Sequence, residues 1–136
     1  LDLLLIGRIT GNAELEKKAA TVGKVFSAQV NRSPMGYTQL LLATEFAMGP
    51  AYEIVIVGDP GSTDTQVMTQ LVQRQYVPNR VLLWKSAGAD GEKLAKLAPF
   101  TETQYTIDGK ATAFVCQNYA CKAPTTELEA VEKALK

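Results

Sequence analysis

The stretch Glu53-Ile54-Val55-Ile56-Val57-Gly58-Asp59-Pro60-Gly61-Ser62-Thr63-Asp64-Thr65-Gln66 restricts the folds open to this chain more than any other. A short apolar run rich in β-branched residues, closed by Gly58 and then Asp59-Pro60-Gly61, predicts a buried strand entering a turn. Thr63 followed by Gln66 predicts an N-cap and its reciprocal partner, so a helix is expected to begin there. Residues before this strand read as helical. Those after it alternate strand and helix.

The chain opens Leu1-Asp2-Leu3-Leu4-Leu5-Ile6-Gly7, an apolar helix-like run with no polar lead-in, and is read as the remnant of a longer chain. Gly11 supplies a left-handed helix end and Asn12 the next N-cap, with Glu14 and Glu16 in the first turn. Leu15, Ala19, Val22, Phe26 and Val30 recur at helical spacing, leaving Lys17, Lys18 and Lys24 toward solvent. A break centred on Ser33-Pro34 precedes a third helix, about Tyr37 to Met48, which Gly49-Pro50 stops. The first of these helices is hydrophobic nearly all round. Residues 1–50 therefore call for a partner layer they do not contain, and read as the end of a larger helical assembly.

After the first strand, Val67, Met68, Leu71 and Val72 make the apolar stripe of a helix ending near Gln75, and Val81-Leu82-Leu83-Trp84 a second buried strand. Strand, helix, strand implies a parallel pair with a right-handed crossover. A short helix from Glu92 to Leu97 ends at Pro99. Asp108-Gly109 between Gln104–Ile107 and Lys110–Val115 is a strong hairpin signal. Thr126 and Glu129 form a second capping box before a helix carrying Leu128, Val131 and Leu135. The order β-α-β-α-β-β-α over residues 51–136 is that of the thioredoxin-like fold, with a Rossmann-like arrangement as the alternative.

Composition removes several function classes. The chain has no histidine, which excludes Ser-His and Cys-His nucleophile pairs, imidazole metal ligands and the usual base near neutral pH. Acidic and basic residues balance, so no basic stripe stands ready for nucleic acid. No apolar run approaches the ~20 residues that span a bilayer. Two cysteines do not make a secreted disulfide scaffold, and a reducing cytoplasm is the expected setting.

Three groups of residues carry candidate chemistry. Asp59, Gly61, Ser62 and Thr63 lie where a strand delivers amides to a helix N-terminus, an anion or ligand loop or else an ordinary βα turn. Neither glycine-rich nucleotide fingerprint is met. Cys116-Gln117-Asn118-Tyr119-Ala120-Cys121 has four residues between its thiols, which fits neither Cys-x-x-Cys nor a zinc knuckle, and no metal is assigned. A turn at Asn118 leaves a reversible disulfide geometrically open; two reduced thiols flanking a tight loop is the simpler alternative. Tyr37, Tyr76, Asn79 and Trp84 are candidates for contact with the helical part, or for packing alone. Tyr37, Tyr76 and Trp84, with Asp59, are also the local candidates for a sugar platform.

The runs Glu53 to Pro60, Pro78-Asn79-Arg80-Val81 and Ala113 to Thr126, with Thr10-Gly11-Asn12-Ala13-Glu14-Leu15 and Leu40-Leu41-Leu42-Ala43 before them, resemble the carboxy-terminal end of the YyaL family. Its animal members are spermatogenesis-associated thioredoxin-domain proteins. The resemblance covers essentially the whole chain, and its most specific part is the Cys-x-x-x-x-Cys block with Pro124-Thr125-Thr126 behind it. It implies a large cytoplasmic parent: an amino-terminal thioredoxin-like domain, an (α/α)6 barrel similar to six-hairpin glycosidases and epimerases, and a small α/β end. Residues 1–50 would then be the last barrel helices and residues 51–136 the appendage, with the rest of the parent, or a second copy, as partner. In a thioredoxin the redox pair follows the first strand; here that place reads Asp59-Pro60-Gly61-Ser62-Thr63. The favoured expectation for this segment is a non-catalytic structural or interaction domain without a cofactor. The alternatives are part of a carbohydrate-modifying enzyme, or a thiol-disulfide accessory using Cys116 and Cys121.

Overall fold

A computed structural model describes residues 1–136 as a mixed α/β structure with six α-helices and one four-stranded mixed sheet. The helical lead-in comprises α1 (Asp2–Thr10), α2 (Ala13–Arg32), a 3-10 turn (Pro34–Tyr37) and α3 (Thr38–Met48). β1 (Tyr52–Val57), α4 (Thr63–Arg74), β2 (Arg80–Lys85) and α5 (Ala89–Leu97) come next. A second 3-10 turn (Pro99–Thr101), β3 (Thr112–Gln117), β4 (Ala120–Cys121) and α6 (Leu128–Ala134) complete the chain. The strand order is β2-β1-β3-β4, with β1 parallel to β2 and antiparallel to β3, and β3 antiparallel to β4.

β1 lies inside the sheet, and its side chains feed both faces. Ile54 and Ile56 point to one face, where Met68 and Val72 of α4, Val131 of α6 and Leu135 just after it meet Ala113 and Val115 of β3. Glu53, two residues before Val55, points to the other with its register partners Val81 and Cys116. That second face is where Leu4 of α1 and Ala43 and Phe46 of α3 gather against Ala51 and Val81. A Cβ at Gly58 would collide with the Thr65 hydroxyl, so glycine there lets the end of β1 lie against the start of α4.

The lead-in thus finds part of its missing layer in the chain itself: α1 and α3 close over the sheet. α2 does not. It has no buried residue, and Val22 and Phe26 of the expected apolar stripe are about two-fifths exposed, while Ala19 packs at the edge of the small cluster. Gly11 does end α1 in the left-handed region, and the Asn12 side chain accepts the Glu14 amide as the cap of α2.

Four expectations shift. The Asp108-Gly109 turn forms, with both residues at positive φ and the Lys110 amide donating to the Ile107 carbonyl, but Gln104–Ile107 is not a strand. The Lys85 ammonium takes the Gln104 carbonyl and the Thr112 hydroxyl takes the Ile107 amide. β3 is meanwhile flanked by β1 on one side, and by β4 and Thr125 on the other. The sheet hairpin is therefore β3-β4, turning at Asn118-Tyr119. The cap of α4 is Ser62 rather than Thr63, with the Ser62 hydroxyl held by the Asp59 carbonyl and Thr65, and Gln66 reaching back to the Pro60 carbonyl. At α6 the cap is Glu127, and the Thr125 rather than the Thr126 hydroxyl accepts its amide. α5 begins at Ala89, earlier than the expected Glu92.

Candidate functional site

The densest polar arrangement in the molecule joins α1 to the sheet. Arg8 lies four residues after Leu4, so both side chains leave one side of α1 toward the sheet. Its Nη1 donates to Glu53 Oε1 at 3.0 Å and to Asn118 Oδ1 at 3.3 Å. Arg8 Nε stands 3.5 Å from Glu16 Oε1, an ion pair without a formed hydrogen bond. Glu53, fully buried on β1, uses its second oxygen to accept the Tyr119 amide at 2.9 Å. The Tyr119 hydroxyl then returns to α1, donating to the Arg8 carbonyl at 3.0 Å.

The guanidinium also sits 5.2 Å from the Tyr119 ring centroid and 5.9 Å from that of Phe46, within cation–π range. Burial pushes the Tyr119 hydroxyl above the ordinary tyrosine range, and the Arg8 charge partly opposes that. Both oxygens of the buried carboxylate are engaged and its charge is met by Arg8. Such a group holds a structure together and is poorly placed to move a proton.

The same hairpin carries the two cysteines. Cys116 and Cys121 face each other across β3 and β4 and are joined in a disulfide, in place of the pair of reduced thiols. Cys116 is buried and Cys121 exposed. Between them Asn118 and Tyr119 both have positive φ, at 50° and 64°, as a two-residue hairpin turn requires. Asparagine tolerates that region; tyrosine there is strained and needs outside support. Val81, Glu53, Cys116 and Cys121 form one row across the four strands.

The loop at the end of β1 is folded back on itself by Asp59. Asp59 Oδ1 accepts the Gly61 amide at 3.0 Å and the Asp59 carbonyl accepts the Ser62 hydroxyl at 2.7 Å, so a carboxylate already stands where an incoming anion would bind. Thr63 is exposed at the first turn of α4. Asp64, next in sequence, accepts the Ala111 amide at 2.7 Å and ties α4 to the approach of β3. The Ala111 amide, with the Ser62 hydroxyl, holds its carboxyl below the usual aspartate range.

Tyr37 stacks at a tilt on Phe26 within the lead-in. Tyr76 is 92% exposed in the connector after α4, and the Asn79 carbonyl accepts the Tyr52 amide. Trp84 pairs in register with Ile56, which places it on the α4 side of the sheet. The polar contacts that hold α1 to the sheet come instead from Arg8, Glu53, Asn118 and Tyr119.

Lys85 forms a separate buried centre. Its Nζ donates to the carbonyls of Thr101 at 2.6 Å and Gln104 at 2.7 Å and lies 4.8 Å from the Tyr105 ring centroid. Burial lowers its pKa, with the Glu102 charge opposing. Sequence reading missed Arg8, Glu53 and Lys85, although Glu53 is the single charge of β1 and Arg8 and Lys85 each follow an apolar run, Leu3–Ile6 and Val81–Trp84. Such a residue signals a buried partner.

An open apolar groove of about 740 Å³ runs between α1, α2 and α3, lined among others by Leu3, Leu4, Val22, Leu40, Leu41 and Met48. No helix is long and apolar enough to cross a membrane.

No protein-family model matches the chain, and no solved structure matches it. The chain is similar to spermatogenesis-associated protein 20 of Homo sapiens, 32% identical over 129 residues, and to its counterparts in Rattus norvegicus and Mus musculus, each 30% identical over the same length. These alignments take in 93% of this chain and 16% of each relative. The chain is thus homologous to one stretch of a much longer protein.

Proposed function

We propose that residues 51–136 form a non-catalytic bracing domain of a larger protein, holding the helices of residues 1–50 in place against one face of the sheet. The observation that carries this reading is the Arg8–Glu53–Tyr119 joint, which directs its buried charge to structure and leaves no free acid or base. The relatives, of which the aligned stretch is only 16%, favour a role inside a larger body. The finer assignment is to a thioredoxin-like domain at the end of a YyaL-type chain. The strand order β2-β1-β3-β4, with the first pair parallel and the last antiparallel, supports it. So does the exposed apolar side of α2, which the helices of an (α/α)6 barrel would cover.

On this reading the partners are the barrel and the amino-terminal thioredoxin-like domain of the same cytoplasmic parent, with self-association as the alternative. Residues 1–136 should show no reduction of a disulfide substrate and no hydrolysis or epimerisation across a panel of sugars. Turnover that disappears in Cys121→Ser or Tyr76→Ala would replace the brace by an active site. A second reading, in which this end lines the rim of a carbohydrate-modifying cleft in the parent, is favoured by the exposed rings of Tyr76 and Trp84. Crystals soaked in mono- and oligosaccharides test it, and sugar density away from both rings counts against it.

A further inference from the structure

We infer that the Cys116–Cys121 disulfide is a redox control on the joint between α1 and the sheet. The inference rests on the bracing reading, since it concerns what fastens and releases the brace. The bridge closes the β3-β4 hairpin one residue outside Gln117–Ala120, the pair that flanks the turn. The turn itself supplies two of the four residues of the joint, through Asn118 Oδ1 and the Tyr119 amide and hydroxyl. β4 is only two residues long and both are exposed; beyond it the returning chain is held to β3 by the Lys122 amide on the Val115 carbonyl and by the Ala113–Thr125 pairing, so the bridge is the covalent restraint nearest the turn. Tyr119 sits at a positive φ that an L-tyrosine leaves when it is free to do so. The restraints that oppose that escape lie on two sides: the bridge behind the turn, and in front of it Glu53 and Arg8, with the Phe100 ring against Tyr119 and the Asn118 amide on the Ala51 carbonyl. Removing the first lets the turn relax, and a relaxed turn withdraws the Tyr119 amide from Glu53 and the hydroxyl from Arg8.

The chemistry needs a dithiol reductant. Its thiolate attacks the exposed Cys121 sulfur, the S–S bond breaks, and Cys116 leaves as a thiolate that takes up a proton. The second thiol of the reductant then displaces Cys121 from the mixed disulfide. The protein gains two electrons and two protons, and the reductant becomes a disulfide. Oxidation reverses each step. In a reducing compartment a bridge of this kind is transient, which is what a control requires.

Hydrogen exchange on the full chain, before and after dithiothreitol, tests the inference, with alkylation and mass measurement reporting the thiols. Reduction should speed exchange of the Tyr119 amide and of α1 by about tenfold or more, while the Ile54–Val57 amides of β1 stay protected. Oxidised glutathione should restore the slow rates. Verified reduction with unchanged exchange in α1 and at Tyr119 would overturn the inference, as would thiols that do not pair at any glutathione ratio. Cys116→Ser with Cys121→Ser should match the reduced protein and ignore dithiothreitol. Glu53→Gln separates the two levels: fast α1 exchange in that variant, with no response of the unaltered chain to reduction, leaves the brace standing and removes the redox control. Slow α1 exchange in Glu53→Gln removes both.

Discussion

The two faces of the sheet are closed by different means. On the α4–α6 face, ten buried residues make one apolar cluster that draws on β1, β3 and both helices. On the α1–α3 face the apolar cluster has five members, and the closure is completed by a buried ion pair, an aromatic ring and a hairpin turn. Apolar burial is non-directional and insensitive to a single group's ionisation or covalent state. A buried charge pair is directional and fails as a unit when one member goes. One face is therefore a permanent core and the other a fastening that chemistry can reach.

The sharpest way to break this comparison is to damage each face in turn. Ile54→Ala, on the apolar face, should cost about 4 kcal/mol by the usual range for such cavities and shift the whole urea transition. Arg8→Met should cost about 3 kcal/mol by leaving Glu53 unpaired, and the loss should appear first as exchange in α1. Adding Glu53→Met to Arg8→Met should recover most of that loss, because the orphaned charge goes too. If the double variant is no better than the single, the joint depends on geometry more than on charge.

The smallest effect concerns the polar tie on the apolar face. Asp64 is exposed, and its pKa is lowered in the folded state by the Ala111 amide. A depressed folded value contributes stability that is present above the ordinary aspartate pKa and is lost as pH falls through the folded one. Asp64→Asn should therefore lower the neutral plateau of a stability–pH curve slightly, flatten its acid limb below about pH 4, and leave the acid end little changed. An acid limb identical to that of the unaltered chain would mean that the tie is screened by solvent.

How much the sequence discloses depends on the range of the forces involved. The strand Glu53–Val57, its turn, the Gly11 and Asn12 caps and the stop at Gly49-Pro50 depend on neighbours a few positions away, and each is found; the parallel partner at Val81–Trp84 follows from the strand-helix-strand order and is found too. The hairpin lies elsewhere than expected because Asp108-Gly109 specifies a turn without saying whether a sheet edge is free to receive it. Lys85 and Thr112 engage the backbone there instead. The fastening is harder still to see. Arg8 is 45 residues from Glu53 and 110 from Asn118, so a charge beside an apolar run announces a partner without naming it. For the cysteines, a turn at Asn118 is legible; that it also grips α1 is not.

The shape of the sheet sets where it can grow. Its β4 side ends in two residues backed by Thr125 pairing with Ala113, so little unpaired backbone is offered there. β2 forms the opposite margin with six residues, among them the half-exposed Trp84. Any segment that extends this sheet must zip onto β2, which makes strand addition one-sided and confines the hazard of runaway stacking to a single margin.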